Sequence, residues 1–124
     1  MRDIENDSDI KLIVDRFYEK VLKDDVIGSF FTEVRQLSLE EHLPKMYGFW
    51  RSVVFNTGEY RGNPMRMHLE INSEEPIEKP HFDRWVELFT SEIDKRFDGP
   101  NAEKMKQRAL SIATMMQVKI HHAK

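Results

Sequence analysis

The 124-residue chain contains no cysteine. That excludes disulfides, thiolate zinc sites, iron–sulfur clusters and thiol catalysis, and it leaves histidine and carboxylate as ligands for any metal. Glycine and proline are sparse, with five of each, and no glycine-rich phosphate loop, H-E-x-x-H pair or nucleophile elbow occurs. No stretch approaches the roughly 18 consecutive apolar residues of a membrane span. The first residues, Met1 to Asp7, lack the apolar core of a signal peptide. The expected address is therefore the cytoplasm, with no membrane partner. Positive charge is not in excess either. The net charge is −3 and the pI about 6.0, and Lys and Arg do not gather into a stripe that could neutralise phosphates, which argues against nucleic acid as a partner.

Hydrophobic residues make up 40% of the chain and charged residues 33%, a balance that fits a soluble globular protein. The length suits one domain, 1–124, with a helical core over about 8–122. A domain of this size buries roughly two-thirds of its unfolded surface and has space for one flat cofactor.

Apolar residues recur at three- and four-residue spacings and nowhere alternate for long, so the fold is expected to be all-α. The first helix is expected from Ser8, as its cap, to about Lys23, with a stripe of Ile10, Ile13, Val14, Phe17 and Val21 and with Tyr18 beside it. A helical turn over Val26 to Phe31 should follow. Ser38-Leu39-Glu40-Glu41 has the form of a capping box ahead of His42, Met46, Phe49, Trp50 and Val53. This second helix should end near Thr57-Gly58, and Pro44 predicts a bend or a start close to His42. Pro64 suits the first turn of a short helix that carries His68. A third long helix reads Phe82, Trp85, Val86, Phe89, Ile93 and Phe97, and a fourth begins at Pro100 with Met105, Ala109, Ile112, Ala113, Met116 and Ile120.

His68 on a short helix, opposite an apolar face that carries His42, is an arrangement able to hold an iron porphyrin. An iron held by one imidazole keeps its sixth position open, so residues on the far side decide what binds there. Tyr18, His42 and Trp85 are polar-tipped residues on or beside apolar stripes and are the candidates for that side. His81, after Pro80, is a rival ligand, but a partly exposed first-turn residue or a contact to a propionate at the cofactor edge is expected ahead of that role. His121 and His122 fall in the last helical turn and are expected to be solvated, as are the acid pairs Glu40-Glu41 and Glu74-Glu75. Met46, Met67, Met115 and Met116 are expected to fill core space.

The segments Phe17-Tyr18-Glu19-Lys20-Val21, His42 to Trp50, Tyr60 to His68 and His81-Phe82-Asp83-Arg84-Trp85 resemble, in that order, the truncated haemoglobins of the third group. The resemblance extends from about Ile10 to Lys119. The first and second groups are less similar, because their paired-glycine motif between the early helices is missing. What the resemblance implies is a two-over-two helical sandwich around one haem b, with His68 as the proximal iron ligand and Tyr18, His42 and Trp85 as a distal trio. It also implies haem contacts from Phe31, Met46, Phe49, His81 and Phe82, with Met46 standing where relatives often have a branched aliphatic residue. His42 would act as a gate. The implied ligands are O2 and other small molecules such as CO, NO or cyanide. The implied uses are oxygen or peroxide chemistry or nitric oxide detoxification, with a reductase supplying electrons. The alternative from the residues alone is a cofactor-free helical interaction module whose aromatic stripes are ordinary core.

Overall fold

The computed structural model describes residues 1–28, 39–57 and 78–123, with backbone only at 39, 41, 42 and 120–123. Four long helices account for most of the described residues: α1 (Asp7–Val21), α2 (Leu39–Phe55), α3 (Lys79–Asp94) and α4 (Pro100–Ala123). Helix α1 packs against α2 and α3, and α4 packs against α3 and α2, which gives two layers of two helices. None of these helices is long and apolar enough to cross a membrane.

Each helix buries the stripe its sequence spells. Ile10, Ile13, Val14, Phe17 and Val21 of α1 are buried against Phe82, Phe89 and Ile93 of α3 and Met105, Ala109, Ile112, Ala113 and Met116 of α4 in one core. Phe97, beyond the end of α3, and Ala102 join it. On α2 the innermost valine is Val54 rather than Val53, which packs only at the margin. Both fall within reach of a 100° step from Trp50, and the face turned to α4 selects the second.

The helix ends differ from expectation in ways the side chains explain. The N-cap of α1 is Asn6, whose Oδ1 accepts from the Asp9 N–H at 3.0 Å, two residues before Ser8. The following turn starts at Asp24, whose carboxylate accepts from the N–H groups of Val26 and Ile27, and it closes through Gly28 N–H to the Asp24 carbonyl at 3.0 Å. Helix α2 starts at Leu39 and carries Pro44 inside it. It stops at Phe55, before Thr57-Gly58, because Asn56 adopts φ of 56°. Asparagine tolerates that left-handed conformation and here takes the role expected of glycine. The N-cap of α3 is Glu78, with Pro80 in the first turn.

Ahead of α1, one residue of the first five joins the core and two others anchor the segment by their side chains. Ile4 is buried, and the Asp3 carboxylate accepts from the Asn101 and Ala102 N–H groups at 2.9 Å each, capping α4 from the far end of the chain. Gly99, at φ of 147°, lets Asp3 come this close: a Cβ there would lie 2.5 to 2.9 Å from Asp3 side-chain atoms. Arg2 reaches Asp9 with two hydrogen bonds of 2.7 Å.

Candidate functional site

Two of the three distal candidates come together from separate helices. Tyr18 follows Phe17 on α1, and Trp85 sits one turn before Phe89 on α3. The Phe17 ring meets Tyr18 edge-on at 5.1 Å, Trp85 edge-on at 5.9 Å and Phe89 edge-on at 5.1 Å between centroids. Trp85 stacks on Phe89 at 5.9 Å with planes 7° apart, and Phe89 stacks on Trp50 of α2 at 4.8 Å. Edge-to-face and offset-stacked pairs are the arrangements that ring quadrupoles favour. With Phe49, which meets Trp50 edge-on at 5.0 Å, six aromatic side chains from three helices form one contiguous wall, with a phenol and an indole flanking Phe17.

Tyr18 is buried and Trp85 is half-buried. Their apolar bodies belong to the core while the O–H and N–H remain donors that burial obliges to find partners. Met46 and Phe49 are buried on α2, and Phe82 is buried at the start of α3. His42 lies on α2, one turn before Met46; its side chain is outside what the structure describes, and so are His68 and Phe31 entirely.

His81 is fixed by a hydrogen bond that limits what it can do. The Glu78 N–H donates to His81 Nδ1 at 2.8 Å. In a neutral imidazole the other nitrogen then carries the hydrogen, so Nε2 is a donor and not a lone pair for a metal. This geometry speaks against His81 as the rival ligand. Among the described residues no three His, Asp or Glu side chains gather as a metal cluster.

Charged groups fix the helices around this wall. Asp24, at the foot of α1, accepts from Arg84 Nε at 2.9 Å and from its Nη2 at 2.8 Å, which ties α1 to α3 next to Trp85. Although burial alone would raise the Asp24 carboxyl, the Arg84 guanidinium and two backbone N–H groups hold it below the usual range. Tyr47 of α2 donates to Asp15 of α1. Burial and that carboxylate push the Tyr47 phenol up to about 12. Arg51 and Asp7 pair at 2.5 Å along the same seam. Sequence periodicity missed these links, and it missed Glu92 in particular. Glu92 is fully buried on α3, with Lys20 at 2.5 Å, Arg96 at 2.9 Å and Lys95 at 3.0 Å. Burial would raise its carboxyl, but the three cations hold it at about 2. The one available signal was a lone acid one residue from Ile93, in a stripe otherwise apolar.

A family model of bacterial-like globins matches residues 3–122. The chain belongs to that family, as a truncated haemoglobin of the third group. The group 3 truncated hemoglobin ctb of Campylobacter jejuni is 30% identical over 115 residues, 90% of this chain and 88% of that protein. The crystal structure of a group III truncated hemoglobin from Campylobacter jejuni superposes with a TM-score of 0.81 at 28% identity, covering 97% of this chain and 95% of that one. The group 1 truncated hemoglobin GlbN of Synechocystis is 34% identical over 79 residues, 63% of this chain and 61% of that protein. The all-α globin sandwich is thus the fold of this chain, and globins of this family bind haem and small gaseous ligands.

Proposed function

We propose that this truncated globin holds one haem b through His68 as the proximal ligand, leaving iron five-coordinate with Tyr18, His42 and Trp85 on the distal side. The observation that carries the reading is the convergence of Tyr18 and Trp85 on the Phe17 ring from α1 and α3. Porphyrin is flat and apolar on both faces, and the buried Met46, Phe49 and Phe82 offer matching surface. Phe31 would complete the contact. His81, with its Nδ1 occupied by the Glu78 N–H, presents an Nε2–H donor suited to a propionate.

Bound haem supplies a redox-active iron that takes O2, CO, NO or cyanide at its open position. The chain's part is electrostatic. Phenol and indole donate hydrogen bonds to a ligand that gains negative charge on binding, and each charge-assisted bond slows ligand release by roughly ten- to a hundredfold. Slow release disfavours oxygen transport. It favours reaction of bound oxygen or peroxide, or removal of nitric oxide, with electrons supplied by a reductase. His42 is assigned the gate, opening or closing the distal side.

The test is the absorption spectrum of the purified protein. A Soret band that shifts with carbon monoxide and is lost in His68→Ala supports the reading. A colourless, folded protein indifferent to added haemin would return the chain to a cofactor-free helical module.

A further inference from the structure

The cations of this chain look evenly spread along the sequence, but the acids are not. Positions 100–124 carry five Lys or Arg against one acidic residue, a net +4, whereas positions 1–99 carry fourteen against twenty-one, a net −7. The sign change coincides with an element boundary, because α4 begins at Pro100. Helix α4 itself carries four of those cations, Lys104, Lys106, Arg108 and Lys119, against Glu103, a net +3.

Its outward face is also unusually apolar. Leu110, Met115 and Val118 are 50%, 45% and 52% exposed, three of the five large hydrophobic side chains that stand in solvent among the described residues. Between Ala109 and Val118 there is no charged residue in a chain one-third charged. Arg108, Met115 and Lys119 lie along one edge of the exposed face, Val118 near its middle, and Leu110 along the opposite edge. Lys106 is neutralised by Asp94 at 2.7 Å and Glu103 at 2.8 Å, and Lys104 is turned onto the Val54 carbonyl at 3.1 Å. Arg108 and Lys119 are exposed and make no ion pair or hydrogen bond among the described residues. Two unpaired cations thus stand at the two ends of one edge of an uncharged apolar strip two to three turns long. Depletion of charge at the centre with charge at the rim is the composition of a protein docking surface.

We propose that the exposed face of α4 docks an acidic electron-carrier protein, whose carboxylates meet Arg108 and Lys119 while its apolar centre covers Leu110, Met115 and Val118. The electron-donor role rests on the oxygen-chemistry reading above: a reduced carrier loses one electron and ferric haem iron gains it. The acidic, apolar-centred chemistry of the partner rests on the α4 face alone. A second copy of the chain fits poorly, since a two-fold pairing of Leu110 against Val118 sets Arg108 of one copy beside Lys119 of the other, and like charges repel. An anionic membrane fits poorly too. Lipid recognition takes clusters of about four to eight Lys or Arg and is favoured by Trp or Phe on the apolar side, and this face has two unpaired cations and no aromatic residue.

The experiment titrates the haem-loaded chain with an acidic flavodoxin as the probe, at low and high ionic strength. We expect saturable binding that weakens by about tenfold or more with salt, and by a similar factor in the double variant R108E/K119E. Lys23→Glu, at an exposed cation on the other side of the sequence, should leave affinity within about twofold. Absence of binding at low ionic strength, or equal affinity of R108E/K119E and K23E, overturns the proposal. Preferential binding to phosphatidylglycerol vesicles overturns it in favour of a membrane, and a dimer abolished by R108E/K119E overturns it in favour of self-association. The haem spectrum of each variant is recorded alongside. A wild-type protein that takes up no haem defeats the functional reading whatever the flavodoxin does.

Discussion

In the proposed distal role Tyr18 and Trp85 each act through one polar group, so substitutions that delete that group and keep an aromatic ring test the effect. Tyr18→Phe keeps the ring against Phe17 and deletes the hydroxyl. We expect oxygen release to speed up by roughly ten- to a hundredfold in Tyr18→Phe, with a comparable rise in Trp85→Phe, measured by stopped-flow displacement. Unchanged rates in both would remove the distal hydrogen-bond account while leaving haem binding standing. Glu92 gives a prediction of a different kind. Its carboxyl lies at about 2 in the folded chain against an ordinary value of 4.5, so the folded state favours the ionised form. That stability is complete above about pH 4.5 and is lost as pH falls towards 2. By linkage it amounts to roughly 3 kcal/mol. Glu92→Gln should flatten the acid limb of the stability curve in that window, and an acid limb identical to wild type would show that Glu92 is not ionised in the fold. The buried hydrophobic residues were legible because periodicity reports them directly. Glu92 and Asp9 were not, because a buried acid is identified by the cations that fold onto it, and hydrophobic periodicity reports neither the distant Lys20 on Glu92 nor the Arg2 that reaches Asp9 from outside α1.

Helix positions were legible in the sequence and helix ends were less so, for a physical reason. Stripes integrate over many residues, whereas an end is decided by one cap. Asn6 displaced Ser8, and Asn56 displaced Gly58, because several residues nearby can serve and tertiary contacts choose among them. The same applies to methionine: Met46 and Met116 are buried as expected, but Met115 is 45% exposed, on the outward face of α4 one residue from Met116. The start of α4 is more exacting, since its cap comes from Asp3. Asp3→Ala should cost about 1 kcal/mol, the usual value of a lost N-terminal cap. Gly99→Ala should cost more, on the order of 2 kcal/mol or above, since it adds a strained φ and a collision with Asp3. Urea denaturation of both variants checks this, and equal stabilities for Gly99→Ala and wild type would contradict the observed turn.

At the scale of the molecule, the two layers of helices bring an α1 tyrosine and an α3 tryptophan to the same phenylalanine, and ion pairs such as Asp24–Arg84 keep those helices in register. Sequence order alone made the globin resemblance visible, because residues far apart in the chain matched in type and in sequence. It gave no hint of the Asp15–Tyr47 and Asp7–Arg51 seam that joins α1 to α2. The central claim is that His68 binds haem iron and leaves the opposite side to Tyr18, His42 and Trp85. The absorption spectrum of the reduced protein, recorded with and without carbon monoxide for wild type and His68→Ala, tests it most directly. The account predicts a five-coordinate ferrous spectrum in the wild type that carbon monoxide converts to a sharp, shifted Soret band, and loss of that haem signature in His68→Ala. A His68→Ala protein with the wild-type spectrum would contradict it, as would a wild-type spectrum with both axial positions already filled.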